Sequence, residues 1–290
     1  CPLSCPILWL LAASMPRSSS VGADSPSPLV LTHPVRVETD EARALSDVLG
    51  LSLSTLPLIL PMLWLGKSEL PQAMRRLAGE THFAVQEAQD FTYTRPLSGQ
   101  DSGTLAITLT HEHSETPNRL LIAAQLNASD GSIPVTLNTT IRLIEKPSGT
   151  EIQAKPAPKQ RAAAPIEHAL PLIDQTLIDR YAALSGDDNP VHLDRRVAQA
   201  LGLPDTIAHG MLLLGLAQQG FSLLQAGTET EAYPLHLSCR FLLPVHAGEK
   251  TGLAIKQQRQ NEDVSERITL SSDAGPHLLA QMRYRFQSSL

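Results

Sequence analysis

Apolar positions recur with a helical spacing in some stretches of this sequence and alternate with polar positions in others. In the first half, residues 40–49 have the spacing of an amphipathic helix, and residues 35–37 before them form a short predicted strand. Thr39 or Asp40 is suited to cap this helix, and Gly50 is suited to end it. A second, strongly apolar helix is predicted from Pro61 onward, with strands after it at residues 91–99.

The second half shows the same order of elements. A helix is predicted to begin at Ile173-Asp174 and to end at Gly186, and an apolar helix begins at Gly210. Strands follow at residues 239–248. Each half closes with a predicted hairpin, which turns at residues 130–131 in the first half and near residue 275 in the second.

The spacing between matched positions supports an internal repeat. Met211 lies 149 positions after Met62, and Phe241 lies 148 positions after Tyr93. Each half is therefore predicted to be one unit, in which a long helix lies along an antiparallel sheet so that both apolar faces are buried.

Composition divides the chain further. Residues 1–28 are predicted to be a disordered or non-native tail, residues 29–146 the first domain, residues 147–165 a linker rich in Pro, Ala and Lys, and residues 166–290 the second domain. The apolar run at residues 6–13 is too short to span a membrane. It is either a clipped signal peptide or, as we expect, part of a segment before a true start at Met15.

The bulk properties exclude some partners. The chain has 290 residues, 42% of them hydrophobic, a formal net charge of −6 and a pI of about 5.9. Nucleic acid is not expected as a partner, because phosphate binding favours a basic face. No stretch predicts a membrane partner. Three cysteines do not make a disulfide framework, so we expect a reducing, cytoplasmic location.

The two halves differ between their paired helices. The interval from the glycine that ends the first helix to the start of the apolar helix is 24 positions in the second half (Gly186 to Gly210) and 11 in the first (Gly50 to Pro61). The additional positions hold Asp187 and His192. The second apolar helix begins at Gly210, whereas its counterpart begins at Pro61, which has no amide proton. The sequence therefore predicts one active site per chain, in the second half.

An aspartate, a histidine and a helix N-terminus suit chemistry at a carbonyl. A carboxylate and an imidazole can hold and activate one water, and the amide of Gly210 can stabilise an oxyanion. Asp187, His192 and Gly210 are the catalytic candidates. Asn189, which either holds the loop or orients His192 by a side-chain bond, and Met211 support them. Taken singly, Asp187 is an ordinary turn residue and Gly210 a packing glycine, and Met211 suits the core as well as a substrate tunnel. Their joint spacing favours the functional interpretation.

The stretches YAALSGDDNPVH and IAHGM resemble the signature of MaoC-like (R)-specific enoyl-CoA hydratases and 3-hydroxyacyl-thioester dehydratases. LSCRFLLPVHAGEK is similar to the strand after the central helix in that family, and the specific match covers about residues 173–250. The two-half layout resembles double hot-dog dehydratases whose first unit lacks the catalytic loop. The resemblance implies an α+β double hot-dog fold and syn addition of water that gives an (R)-3-hydroxyacyl product.

Other motifs indicate less. His111-Glu112-His113 has metal-ligand residue types, but we interpret it as polar surface and predict no metal site. Arg95 and Arg240 either contact coenzyme A phosphates or lie on a solvated rim. His209 is expected to be structural, and Cys239 to be an unreactive strand residue. Gly215 and Gly220 are expected to permit close packing of helix on sheet, or to leave room for an acyl chain. GxSxG is absent, which argues against an α/β-hydrolase.

These observations predict a hydro-lyase that acts on acyl-CoA or acyl-carrier-protein thioesters and needs no cofactor. The alternatives are a hot-dog acyl-CoA thioesterase and a non-catalytic thioester-binding protein. A monomer and a homodimer are both compatible with two units in one chain.

Overall fold

The computed structural model describes residues 27–52, 56–112, 118–145, 166–221 and 232–285. The predicted tail (apart from residues 27 and 28), the linker at residues 147–165 and His113 lie outside these ranges. Among the described residues, no helix is long and apolar enough to cross a membrane.

The first half begins with one strand, continues with three helices and ends with four strands. In order, these elements are β1 (Leu29–Arg36), α1 (Thr39–Leu49), α2 (Pro61–Lys67), α3 (Leu70–Ala78), β2 (His82–Tyr93), β3 (Ser102–Glu112), β4 (Arg119–Ala128) and β5 (Val135–Glu145).

The second half repeats this order with two short helices added before its central helix. The elements are β6 (His168–Ala169), α4 (Gln175–Ser185), α5 (Pro190–Leu193), α6 (Arg195–Ala200), α7 (Gly210–Ala217), a 3₁₀ turn (Gln218–Gly220), β7 (Leu235–Phe241), β8 (Gly252–Gln260), β9 (Asp263–Ser272) and β10 (Gly275–Arg285).

All ten strands form one antiparallel sheet in the order β1-β3-β4-β5-β2-β7-β10-β9-β8-β6. The order from β2 outward matches the order from β7 outward, so a pseudo-two-fold axis passes between these two strands. On that axis Asp90 pairs with Ser238, 148 positions later, which is the offset that matches Tyr93 to Phe241. The predicted repeat is confirmed by this register.

One face of the sheet carries the core. Burial alternates along β3, β4 and β5, and apart from Thr139 the buried positions are aliphatic, such as Leu105, Ile107 and Leu109. The same core includes the helix residues Leu63, Leu212 and Leu214, so the helices cover this face of the sheet. This arrangement is the predicted α+β class, a set of short helices on a large antiparallel sheet.

The hairpin turns and the C-terminal ends of the first helix in each half lie where the sequence predicted them. The hairpin β4–β5 turns at Gly131 (φ 84°), and β9 turns into β10 just before Gly275 (φ 123°). Gly50 and Gly186 end α1 and α4 in the left-handed conformation, with φ of 63° and 71°. Glycine adopts this conformation without the steric penalty of a Cβ.

Several element boundaries differ from the prediction. Glu38, not Thr39 or Asp40, is the N-cap of α1, and its side chain makes no capping hydrogen bond. The central helix of the first half is not one long helix, because it ends at Lys67 and α3 begins again at Leu70-Pro71, where proline has no amide to continue the ladder.

The strands also begin and end at other residues than predicted. Strand β1 starts at Leu29 and ends at Arg36, so it is longer than residues 35–37. Strands β2 and β7 end at Tyr93 and Phe241, so the residues after them in the predicted strands form loops.

Candidate active site

His192 lies on the one-turn helix α5, which follows the C-terminus of α4. Asn189 caps this turn, because its Oδ1 accepts a hydrogen bond from the amide of Val191 at 3.3 Å. The His192 side chain is buried, and its Nδ1 lies 2.7 Å from the carbonyl oxygen of Ile207. A carbonyl only accepts, so Nδ1 carries the proton and the neutral ring keeps a free lone pair on Nε2.

Asp187 immediately follows the left-handed Gly186 and is exposed. Its amide donates to the Ser185 hydroxyl at 3.2 Å, and its Oδ1 accepts from the Asn189 amide at 3.3 Å. Its carbonyl oxygen accepts a hydrogen bond from His209 Nε2 at 3.1 Å. Three contacts therefore hold the backbone and the carboxylate of this residue in one place.

Asp187, His192 and His209 come together in space. One ligand-type atom from each lies within 4.8 Å of the other two, and the two imidazole rings are in contact, with centroids 3.8 Å apart and planes tilted by 31°. Such a cluster fits one shared water molecule or one ion. His209 was expected to be structural, and its hydrogen bond to the Asp187 carbonyl is a structural contact. Its Nδ1 is buried and has no hydrogen-bond partner among the residues that the structure describes.

Burial controls the ionisation of both histidines. It lowers the pKa of His192 below the usual value, and the nearby charge of Asp187 and the hydrogen bond to Ile207 offset only part of this effect. Burial and the adjacent His192 lower the pKa of His209 as well. Both rings are therefore neutral at pH 7, which leaves His192 Nε2 available as a base.

The N-terminus of α7 carries the predicted oxyanion donor. His209 is the N-cap in an extended conformation (φ −62°, ψ 137°), and Gly210 is the first helical residue. Its amide has no acceptor within the helix, since the first amides of any helix lack one. A Cβ at residue 210 would lie 3.0 to 3.2 Å from the Phe241 ring, so glycine avoids a crowded contact between this position and the ring.

Met211 follows Gly210 in α7 and is buried in the core with the leucines after it. Gly215 lies against Leu49 and Ile59 of the first half, and only Gly220 faces sheet residues, among them Ile268 and Leu253. The expected helix-on-sheet packing is therefore present at Gly220, whereas Gly215 packs against the other half.

The remaining candidates lie elsewhere. Arg95 makes a two-pronged ion pair with Asp101, at 2.9 and 2.6 Å, while Arg240 is exposed on β7. His111 bonds to Asn118 Oδ1 at 2.7 Å. Cys239 is buried, and burial raises the pKa of its thiol, which fits the expected lack of reactivity.

Sequence reasoning missed the residues that hold the loop from outside it. Ile207 orients His192, Ser185 holds the amide of Asp187, and Gln175 Nε2 donates to the His192 carbonyl at 2.9 Å. Gln175 lies 17 positions before His192 and Ile207 lies 15 positions after it. Tertiary structure makes both contacts, and no local pattern marks them.

Comparison with known proteins gives concordant results. Residues 133–273 match the family described as MaoC like domain. The 3-hydroxyacyl-thioester dehydratase X of Mycobacterium tuberculosis is 28% identical over 204 residues, which cover 69% of this chain and 68% of that protein. The crystal structure of the M. tuberculosis protein HtdX matches with a TM-score of 0.66 and 22% identity, over 87% of this chain and 99% of that one.

A conserved hypothetical protein of M. tuberculosis described as having a double hot-dog fold matches with a TM-score of 0.56 and 13% identity, over 90% of this chain and 96% of that one. Together with the pseudo-two-fold sheet, this likeness identifies the fold as a double hot-dog, as the sequence predicted.

Proposed function

From the MaoC-like domain that this chain carries, we propose that the protein is a hydro-lyase that interconverts trans-2-enoyl thioesters and (R)-3-hydroxyacyl thioesters by adding or removing water. The relative from M. tuberculosis is named a 3-hydroxyacyl-thioester dehydratase. One observation supports the proposal most strongly: the Asp187 carboxylate lies close to a neutral His192 whose Nδ1 donates a hydrogen bond to a carbonyl oxygen.

In the hydration direction, His192 Nε2 takes a proton from a water that the Asp187 carboxylate orients. The resulting hydroxide bonds to C3 of the enoyl group, and the C2–C3 double-bond electrons move toward the thioester oxygen. The amide of Gly210 stabilises the negative charge there. The imidazolium then returns its proton to C2 on the same face, so that one water supplies both added parts.

Asn189 and Met211 support this site. Asn189 caps the turn that carries His192, and Met211 continues the helix from the proposed oxyanion donor into the core. The substrate carries the thioester handle, coenzyme A or acyl carrier protein, and these steps need no cofactor. We place the protein in the cytoplasm, as a monomer or homodimer, with the units at residues 29–146 and 166–290 acting as scaffold and catalytic domain.

The test is turnover of trans-2-enoyl thioesters of graded chain length, on both carriers, by the purified full chain. Asp187→Asn and His192→Ala should abolish hydration and leave the circular dichroism spectrum unchanged. Asp188→Asn is the matched control, because that adjacent carboxylate is 81% exposed and its ion pair with Arg75, at 3.6 Å, lies at the surface. Full activity of both active-site variants, or release of free coenzyme A without hydration, would contradict the assignment.

A further inference from the structure

We propose that Gly66, on helix α2 of the half that lacks the acid and the histidine, is a positioning residue for Asp187. This inference rests on the proposed function, since it assigns to the first half a part in holding the catalytic loop of the second. It follows from one close backbone contact, from the hydrogen bond that continues it and from the pseudo-symmetry of the fold.

Gly66 lies directly against the C-terminus of α4. A Cβ built on residue 66 would lie 2.0 Å from the carbonyl oxygen of Ser185 and 3.3 Å from its carbonyl carbon. Real Cβ contacts do not fall below 3.0 Å, so any other residue would displace this backbone by at least 1 Å. Glycine inside a helix is about 1 kcal/mol less favourable than alanine. Its presence near the end of α2 is therefore explained by the close approach.

Ser185 connects this contact to Asp187 through a hydrogen bond. It is the last residue of α4, and its hydroxyl accepts the hydrogen bond from the Asp187 amide at 3.2 Å. Gly186 between them also faces α2, since a Cβ there would lie 3.6 Å from the Gly66 carbonyl oxygen. A displacement of Ser185 by 1 Å would therefore move the carboxylate that faces His192.

The pseudo-two-fold axis relates this contact to a similar one on the other central helix. Gly215 on α7 lies 149 positions after Gly66, the offset that matches the two central helices, and it faces the last residue of α1, Leu49. The Leu49 carbonyl accepts from Gln219 Nε2 at 2.6 Å. Each central helix thus packs on the end of the other half's first helix, but only the end that meets Gly66 leads into the Asp187 loop.

A second contact between the first half and this loop, made by α3, is weak. Arg75 and Asp188 are 62% and 81% exposed and 3.6 Å apart, and exposed pairs of this kind stabilise by about 1 kcal/mol or less. Of these two contacts, the close approach at Gly66 is therefore the one that can fix the position of the loop.

The test compares Gly66→Ala with Gly99→Ala in the full chain. Among the described residues, a Cβ at residue 99 would meet Thr39 Oγ1 alone, at an ordinary 3.5 Å, so this control should keep the wild-type kcat. Gly66→Ala should lower kcat by about 10- to 100-fold with little change in KM, because a 1 Å misplacement can lose about 100-fold in rate. A loss of global stability alone would lower only the amount of folded enzyme, so kcat is calculated per folded molecule, with the folded fraction taken from thermal unfolding.

The titration of His192, followed by NMR of its imidazole, is a second readout that does not need turnover. Asp187 raises the pKa of His192, while burial and the neighbouring His209 oppose protonation of the pair. Displacing the Asp187 carboxylate should therefore lower the His192 pKa in Gly66→Ala and leave it unchanged in Gly99→Ala. This readout keeps the inference testable even if the wild-type protein hydrates no enoyl thioester, a result that would count against the proposed function alone.

Ser185→Ala decides the question if Gly66→Ala does not fold. It removes the hydroxyl that holds the Asp187 amide without adding bulk at the helix contact, and it should lower kcat about tenfold and shift the His192 titration in the same direction. Wild-type kcat and an unchanged His192 titration in the variants that fold would overturn the inference.

Discussion

Replacing Gly210 by proline tests the oxyanion donor with little other change to the helix. Proline removes the backbone N–H, and its fixed φ suits the first position of a helix. The preceding residue must then be extended, and His209 already is, with φ −62° and ψ 137°. The fold itself contains a precedent, because the corresponding helix α2 begins with Pro61.

The magnitude follows from the loss of one charge-stabilising donor. Such a loss raises the transition-state free energy by about 3 to 4 kcal/mol, a fall in kcat of about 100- to 1000-fold. Any side chain at residue 210 also meets the Phe241 ring at 3.0 to 3.2 Å. Gly210→Ala adds the same Cβ but keeps the N–H, so the ratio of the two variants isolates the donor.

The assay is steady-state hydration of a trans-2-enoyl-CoA by both variants, with thermal unfolding as the check on folding. The proline variant should be slower than the alanine variant by about 100-fold or more in kcat, at a comparable melting temperature. Equal kcat values for the two folded variants would refute the role of this amide.

Two predictions concern pH. Burial lowers the pKa of His192, so the neutral base persists below pH 6.5; kcat/KM for hydration should fall only at lower pH, and a pH–rate profile that breaks above 6.5 would contradict this. At Glu249, burial raises the pKa, but hydrogen bonds from His277, Ser272 and the His246 amide outweigh it and lower the pKa to about 2. The contribution of the Glu249 carboxylate to the free energy of unfolding is therefore present above about pH 4.5 and is lost as the pH falls toward 2. Melting temperatures recorded over this range should show a steeper acid loss for the wild type than for Glu249→Gln.

The order of elements and the repeat could be predicted because each leaves a local signal. Helix-ending glycines at residues 50 and 186 and the turn at residues 130–131 have sequence signatures, and the 148-residue offset returns as the Asp90–Ser238 pair. The break between α2 and α3 was missed although Pro71 marks it, because the apolar spacing continues across the break.

The site was predicted less completely than the fold. The spacing of Asp187 and His192 marks the loop, and the structure brings these two residues together. The ring contact between His209 and His192 and the carbonyl of Ile207 that selects the tautomer depend on how distant segments pack. The contact at Gly66 joins residues 119 positions apart, and a single glycine in an apolar helix gives no indication of its partner.

The most direct test of the central claim is the configuration of the product that the wild-type enzyme forms from a trans-2-enoyl thioester. The proposed function predicts the (R)-3-hydroxyacyl thioester alone, and if one water held between Asp187 and His192 adds to a single face, C2 of the product formed in heavy water carries one deuterium on the same face as the new hydroxyl. An (S) or mixed product, or a deuterium on the opposite face, would contradict the account.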